Sequence, residues 1–351
     1  MKNILFVSPT LDGMGGISSV VRTLMNSDLK NRCKISHYSS YVDKSFYHKL
    51  ISIITGYIKF PFFLLKNRDI EIVHIHGSMR ISFLRKSYYM LLSKLAQKTV
   101  IYHMHSSMVN EYFDRNNKFK GAIIKKLMNQ YDAFIVLSSY WEQVVKKYTN
   151  STIFVTHNPV SEINAPSCSK NFNDNNNVLF LGEIGQRKGV HDLIKVAKEL
   201  KNRNTDVHFH IGGNGNIDVY KKQADKLNVS ETITWYGWVR GEEKEQLYRN
   251  CSIYFLPSYF EGLPMSILEA MGKGFPVIST RVSAIPESVI HQRNGYIYSP
   301  GDITGFANGI EHMLSNPKLL FNMSRESVKI INEKFSIEKI VSQLYTVYNS
   351  V

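Results

Sequence analysis

The chain has 351 residues, of which 43% are hydrophobic and 21% are charged. At roughly 150 residues per domain this length predicts two domains, each able to bury a core without disulfides or a structural metal. The composition is that of a soluble globular protein and excludes collagen-like, coiled-coil and disordered classes. Cys33, Cys168 and Cys251 are widely spaced, which argues against a disulfide framework or zinc cluster and favours a reducing, cytosolic setting.

The net charge of +14 lies almost entirely in the first half of the chain. Residues 1–160 contain 22 Lys and Arg against 9 Asp and Glu, a net charge of +13, whereas residues 161–351 carry a net charge of +1. This asymmetry predicts an anionic partner for the first half, either a membrane surface or nucleic acid. A basic surface that only aids solubility is the alternative. No nucleic-acid-binding module is recognisable, so we expect no nucleic acid.

Short apolar runs alternate with helical patterns from the first residues onward. The run at 3–8 is too short for a signal peptide and predicts a strand. Many runs are continuously apolar, as in parallel strands covered on both faces, and helical patterns such as 190–200 and 264–272 separate them. The sequence therefore predicts an α/β protein. The predicted strands are 3–8, 70–76, 99–103, 133–137 and 152–156 in the first half and 178–182, 207–212, 232–236, 252–256 and 276–279 in the second.

Residues 50–65, LISIITGYIKFPFFLL, form the most apolar segment. The run is shorter than the roughly 20 residues of a membrane span and is interrupted by Lys59 and Pro61. Its mixture of basic, aromatic and aliphatic residues is typical of a segment that lies in a bilayer interface. A buried helix followed by a loop is the alternative. The charge asymmetry favours the membrane.

The Asn- and Ser-rich segment 161–177 predicts a linker between an N-terminal domain at 1–160 and a C-terminal domain at 178–334. Two α/β runs on either side of it imply two sheets with a cleft between them. Residues 335–351 have the apolar spacing of a helix, which we expect to pack back toward the N-terminal domain.

The first candidate site is the turn SPTLDGMGGI at 8–17, where a strand leads into a Gly-rich loop and a helix. Glycines allow a ligand to approach the backbone, and a helix start offers N–H groups to an anion. Ser18 stands at the third glycine position of a dinucleotide fingerprint counted from Gly13, and no acid is placed for a ribose. An NAD-dependent oxidoreductase is therefore disfavoured, and a plain turn is the alternative.

The second site is LGEIGQRKG at 181–189, where Arg187 and Lys188 precede a helix. Two cations together with helix N–H groups make a pyrophosphate clamp. A surface turn with exposed charges is the alternative.

The third site is EGLPMSILEAMGKG at 261–274, in which Pro264 suits the first helical position. Glu261 then lies at the helix mouth and Glu269 one to two turns deeper. Two such carboxylates can bind sugar hydroxyls at two points of an extended ligand. A phosphate of that ligand then lies at the helix N-terminus between them. An exposed glutamate and an ordinary helix glutamate are the alternatives.

The motif EGLPMSILEAMGKGFPVIST, with its two glutamates in E-x7-E spacing, resembles the retaining nucleotide-sugar glycosyltransferases of the GT4 type, which have the GT-B fold. GEIGQRKG resembles the phosphate loop of that family, IGGNG from Ile211 its second glycine loop, YGWVR from Tyr236 its base-binding strand end, and RNGYIYSPGD from Arg293 a later strand. The resemblance covers nearly all of 178–300 in order. It is looser in the first half, through the Gly-Gly loop and IYHMHSS.

The resemblance implies an enzyme with two Rossmann-like domains facing across a cleft and a set of site residues. Arg187 and Lys188 bind the donor diphosphate, Glu269 the ribose, and Glu261 the donor sugar together with backbone groups of Gly262, Leu263, Pro264 and Met265. Val239 lies near the base, Gly15 and Gly16 approach the donor from the first domain, and His105 faces the donor sugar. We take His105, Glu261, Arg187 and Lys188 as the candidate catalytic residues.

The implied reaction is retaining transfer of a hexose or N-acetylhexosamine from a UDP- or GDP-linked sugar to an acceptor. We expect no cofactor and no metal, because the chain contains no Asp-x-Asp motif and its paired histidines, such as His74 and His76, are expected in the core or the cleft. The charge and the 50–65 segment predict a lipid-linked saccharide acceptor on the inner face of a bacterial cell membrane, in lipopolysaccharide or capsule synthesis. A non-hydrolysing sugar-nucleotide epimerase and a non-catalytic membrane-associated binding protein are the alternatives.

Overall fold

Each half of the chain is built around one parallel sheet. The computed structural model describes residues 1–13, 15–42, 46–79, 81–105, 118–163 and 176–351. The chain divides into two units, one of Met1–Ser161 with Lys334–Val351 and the other of Glu162–Glu333. The C-terminal segment thus belongs to the first unit. Most of the expected linker, including Cys168, lies outside the described residues, and the cysteines at 33 and 251 are buried free thiols.

The first unit contains a six-stranded sheet in the order β2-β1-β3-β4-β5-β6, in which all neighbouring strands are parallel. The strands are β1 (Asn3–Ser8), β2 (Lys34–Ser39), β3 (Ile72–Gly77), β4 (Thr99–Met104), β5 (Ala133–Val136) and β6 (Thr152–Val155). The helices between them are α1 (Gly16–Met25), α2 (Leu29–Arg32), α3 (Phe46–Lys66), α4 (Ile81–Leu95), α5 (Lys118–Met128) and α6 (Ser139–Val145).

The second unit repeats this plan with the strand order β12-β11-β10-β7-β8-β9, again parallel throughout. The strands are β7 (Asn177–Leu181), β8 (His208–Gly212), β9 (Ile233–Gly237), β10 (Ile253–Leu256), β11 (Val277–Thr280) and β12 (Gly295–Tyr298). The helices are α7 (Val190–Asn202), α8 (Ile217–Lys226), α9 (Gly241–Asn250), α10 (Met265–Gly272), α11 (Ile285–Ser288), α12 (Ile303–Leu314) and α13 (Pro317–Ile330). The chain then returns to the first unit as α14 (Ile337–Ser350).

The continuous apolar runs correspond to strands covered on both faces, as predicted. Every residue of β1 and β3 is buried, as expected for central strands of a parallel sheet with helices on both sides. The ten predicted strands are all present, with ends shifted by at most two residues. The α/β prediction is confirmed.

One strand of the first sheet was not predicted. β2 reads KISHYS and lies at the edge of the sheet, and its residues are half-buried or exposed rather than fully buried. Because an edge strand packs against fewer neighbours, it does not need the continuous apolar run that marks the central strands.

The apolar run at 50–65 lies within a longer helix. α3 extends from Phe46 to Lys66 as a single helix that contains Lys59 and Pro61. Only one side of the helix packs on the unit, where Phe60 and Leu64 are buried and the Gly56 carbonyl accepts a hydrogen bond from Tyr38 at 2.6 Å. Among the described residues, α3 is the one helix that is long and apolar enough to cross a membrane, and only 17% of that window is buried.

A close backbone contact joins the loops after β7 and β10. Gly189 has φ +71°, and a Cβ at this position would overlap the carbonyl oxygen and carbon of Pro257. The Tyr259 amide also donates to the Arg187 carbonyl at 2.8 Å. Residue 189 must be glycine because its backbone is in the left-handed region and because a side chain would overlap Pro257. These contacts fix the two loops relative to each other.

We predict that Gly189→Ala lowers the midpoint of thermal unfolding by roughly 5 °C, because a side chain there is strained and also displaces Pro257. Gly185→Ala is the matched control in the same loop, since its φ of −168° is extended and a Cβ would meet nothing within 4 Å in the part of the chain that the structure describes. The measurement is differential scanning calorimetry of both variants and the wild type. Equal midpoints for the two variants would contradict the assigned contact.

Candidate active site

The loops after β7 and β10 lie at the point where the strand order of the second sheet reverses. β8 and β9 extend the sheet on one side of β7, and β10, its neighbour on the other side, begins the run toward β12. In open parallel sheets, ligands bind outside the carboxyl ends of the strands at this switch point. The two most specific sequence motifs begin here.

Glu261 is the centre of the charged cluster at this point. Its side chain is buried, and its Oε1 accepts from the Lys188 Nζ at 2.5 Å and from the Ser258 hydroxyl at 2.7 Å. The Arg187 Nη1 lies 3.8 Å from the other carboxylate oxygen. The structure thus brings together three of the four candidate catalytic residues, and it adds Ser258, which the sequence analysis missed.

Arg187 and Lys188 differ in exposure. Both lie in a 3₁₀ turn, Gln186–Lys188, but the Lys188 side chain is only 10% exposed whereas that of Arg187 is 38% exposed and also pairs with Glu183 at 2.9 Å. A buried cation held by one carboxylate keeps its charge at a fixed place, and the more exposed guanidinium remains accessible to a ligand.

A second contact fixes the loop that carries Glu261. The Tyr259 hydroxyl donates to Asp192 Oδ2 at 2.8 Å, and this carboxylate is buried in the first turn of α7. Burial and the Asp192 carboxylate raise the pKa of Tyr259 to about 12, so the phenol keeps its proton and remains a donor. Neither residue was predicted from the sequence, in which the only signal is an acid at the start of a helix.

α10 begins one residue later than predicted. Pro264 is its N-cap, with extended backbone, rather than its first helical residue, and Met265 begins the helix. Glu269 lies four residues into α10 and accepts from the Lys244 Nζ of α9 at 2.7 Å. Its carboxylate is therefore held in place by a lysine that sequence reasoning did not identify.

The glycine loop after β8 packs at the same end of the sheet. The Gly213 amide donates to the Gly237 carbonyl at 2.5 Å, and a Cβ at Gly213 would overlap the Gly182 carbonyl. Val239 is buried beside Gly212, where an added Cβ would lie 2.8 Å from its Cγ2. The region expected to meet a nucleotide base thus adjoins the loop after β7.

The remaining predicted residues belong to the first unit. Gly16 begins α1 and Gly15 is its N-cap, and an added Cβ at either would meet none of the described residues within 4 Å. His105 follows β4, and its amide donates to the Gly77 carbonyl at 2.8 Å. Burial, followed by the charge of Lys86, lowers the pKa of His105 to about 3, so the imidazole is neutral at pH 7.

Three buried histidines raise the question of a metal. Candidate ligand atoms of His74, His76 and His103 all lie within 4.8 Å of one another. The rings of His74 and His76 are stacked, with centroids 4.2 Å apart and an interplanar angle of 24°. Since a histidine lone pair lies in its ring plane, the lone pairs of these two rings lie in nearly parallel planes and do not both point at one ion. The described geometry therefore does not bring His74 and His76 onto one metal ion.

Two family models match this chain. The model of Glycosyltransferase Family 4 matches residues 28–162, and the model of glycosyl transferases group 1 matches residues 165–329. An uncharacterized glycosyltransferase of Haemophilus influenzae is 30% identical over 172 residues, which is 48% of this chain and 48% of that protein. The lipopolysaccharide 1,6-galactosyltransferase of Escherichia coli is 28% identical over 221 residues, which is 60% of this chain and 59% of that protein.

A solved structure is similar over the whole length. Alr3699/HepE of Anabaena in complex with UDP and glucose has a TM-score of 0.78 at 15% identity, covering 100% of both chains. The chain spans about half the length of the first curated relatives it matches. The two family models between them cover both units, and the parallel sheets agree with the fold expected from the resemblance. The chain belongs to the GT4-type glycosyltransferases and has the GT-B fold.

Proposed function

We propose that the protein is a retaining glycosyltransferase that moves a sugar from a UDP- or GDP-linked donor to a lipid-linked saccharide during synthesis of a bacterial surface polysaccharide. The observation that carries this proposal is the cluster of Arg187, Lys188 and Glu261 at the switch point of the second sheet. Two similarities support this proposal. One is to a lipopolysaccharide galactosyltransferase, and the other is to a structure that holds UDP and glucose.

The cationic pair suits the leaving diphosphate. As the bond between the anomeric carbon and the phosphate oxygen breaks, negative charge grows on the diphosphate, and cations held in place beforehand stabilise it. The planar guanidinium of Arg187 can donate paired hydrogen bonds to phosphate oxygens. The ammonium group of Lys188 supplies a positive charge that Glu261 holds in place. No metal is needed in this scheme, and the donor is the only nucleotide that it uses.

The carboxylates suit the hydroxyl groups of the donor. Glu261 stands beside the cations, where it can accept from hydroxyls of the transferred sugar, and Glu269, held by Lys244, can accept from the ribose. Backbone groups of Gly262, Leu263, Pro264 and Met265 join the two positions, and Val239 borders the base. We propose that Gly15, Gly16 and His105 of the first unit also contact the donor, as the family resemblance implies.

The reaction retains configuration at the anomeric carbon. The acceptor hydroxyl oxygen bonds to that carbon on the face from which the diphosphate departs, and the hydroxyl proton passes to the leaving phosphate oxygen. This route forms no covalent sugar–enzyme intermediate, so the role of the protein is to hold donor and acceptor and to stabilise charge.

The first unit suits an acceptor at an anionic membrane. The outer side of α3 exposes a stripe of apolar residues, of which Ile51, Ile58, Phe62 and Leu65 are 60–69% exposed. Lys59 and Lys66 are exposed on the same helix, and the first half of the chain carries a net charge of +13. Apolar side chains flanked by lysines are the pattern of a helix that lies in an anionic bilayer interface. We therefore propose that the protein is cytoplasmic and peripheral on the inner face of the membrane.

Lys188→Met and Glu261→Gln are each expected to lower turnover at least about 100-fold, because the first removes a cation placed for the leaving diphosphate and the second weakens the carboxylate that holds this cation and accepts from the donor sugar. The measurement is release of nucleoside diphosphate from a panel of UDP- and GDP-sugars with a saccharide acceptor, together with product analysis. Lys222→Met, on the exposed surface of α8, is the matched control for the loss of a lysine and should keep full activity.

Near wild-type turnover of both site variants would contradict the site. A changed sugar nucleotide without glycan transfer would instead identify an epimerase. Thermal unfolding of each variant establishes that it is folded.

Ile58→Asp is expected to reduce binding to vesicles that contain anionic lipid at least about tenfold, because it places a charge on the apolar side of α3. The measurement is vesicle flotation at low and high salt, and salt should weaken wild-type binding. Val219→Asp, at a position of similar exposure in the second unit, is the matched control. Absence of wild-type flotation at low salt would remove the membrane proposal.

A further inference from the structure

Four histidines lie on one face of the first sheet, on two neighbouring strands. His74 and His76 belong to β3, and His103 and His105 lie on and just after β4. In the register of these parallel strands His76 is paired with His103. Since residues two apart share a strand face, all four rings project to the same side, and those of His74, His76 and His103 are buried.

The closest polar contact within this group joins His76 to His105. The Nδ1 of His76 lies 3.1 Å from the Nε2 of His105. The ring centroids are 5.4 Å apart with an interplanar angle of 20°. The two ring centroids are farther apart than the two nitrogens by about the width of one imidazole ring. This difference is expected when the rings lie end to end, because each ring then adds half its width along the line of the hydrogen bond. The hydrogen bond therefore lies close to the plane of both rings and fixes the orientation of each.

The direction of this hydrogen bond follows from the other ring nitrogens. Burial lowers the pKa of both imidazoles, so each has one N–H and one lone pair at pH 7. The Nε2 of His76 has no hydrogen-bond partner among the described residues. A buried N–H without a partner costs more than a buried lone pair, so His76 carries its proton on Nδ1 and donates it to His105.

We propose that His76 is a positioning residue, whose Nδ1–H donates to Nε2 of His105 and thereby fixes the ring plane of His105 and places its proton on Nδ1. This inference rests on the proposed function, in which His105 faces the donor sugar. His105 is thus held through its Nε2, and it presents one defined tautomer at the end of β4.

His74 provides a comparison within the same structure. It is two residues earlier on the same strand and equally buried, and its ring stacks on that of His76. Its Nδ1 contacts the Tyr348 hydroxyl of α14 at 2.7 Å instead of His105. If His74 and His76 have only a structural role, replacing either one should have the same effect. If His76 positions His105, only a substitution at position 76 should affect His105.

The experiment compares His76→Leu, His76→Asn, His74→Leu and His105→Ala in the full chain. We expect His76→Leu to lower kcat about 10- to 100-fold with KM changed less than about threefold, because a misoriented group near the reacting centre affects the rate more than binding. His76→Asn keeps an N–H near the place of Nδ1 and should recover most of the loss. His74→Leu should remain within about threefold of the wild type.

A second readout does not depend on turnover. In ¹⁵N-labelled protein, imidazole nitrogen shifts report which nitrogen of His105 carries the proton. We expect an Nδ1–H tautomer in the wild type, His76→Asn and His74→Leu, and mixed tautomers in His76→Leu.

Two results would overturn the inference and leave the proposed function intact: equal kcat for His76→Leu and His74→Leu while His105→Ala is inactive, or an unchanged His105 tautomer in His76→Leu. Wild-type turnover by His105→Ala would instead show that the role proposed for His105 is wrong, and the inference would fail with it.

Discussion

The ion pair between Lys188 and Glu261 is the contact on which the second unit's site depends. The side chains of both residues are at most 10% exposed, and their charged atoms lie 2.5 Å apart. Taking two charges out of water is costly, and such a pair is often no more stabilising than apolar residues of similar volume. Stability alone therefore does not account for it. The pair fixes a cation and a carboxylate side by side where the strand order of the sheet reverses, which is where ligands of open parallel sheets bind.

The parts of this site that the sequence predicted are those that local rules determine. Arg187 and Lys188 precede a helix, Glu261 follows a strand end, and parallel strands bring such ends to one edge. Ser258, Tyr259, Asp192 and Lys244 were missed because their residue types and local spacing carry no signal beyond one acid, Asp192, at the start of a helix. Their roles arise from contacts between separate segments, such as the bond from the Tyr259 hydroxyl to Asp192 and that from Lys244 to Glu269.

In the fold, too, the features that local sequence determines were predicted and those that depend on contacts between segments were not. Central strands such as β1 and β3 were predicted because burial on both faces requires continuous apolar runs. The edge strand β2 has no such run and was missed. The apolar run at 50–65 indicated only part of α3, which is longer at both ends and contains Pro61. In the first unit, the spacing of His74 and His76 indicated one shared face, but only the register of β3 with β4 brings His105 to His76.

The central claim is that a nucleoside diphosphate binds at the charged cluster of the second unit. A crystal structure of the full chain soaked with UDP or GDP tests it most directly. We expect the diphosphate within hydrogen-bond distance of Arg187 and Lys188, and the ribose hydroxyls on Glu269. A nucleotide bound away from the carboxyl ends of β7 and β10, with these three side chains untouched, would contradict the account.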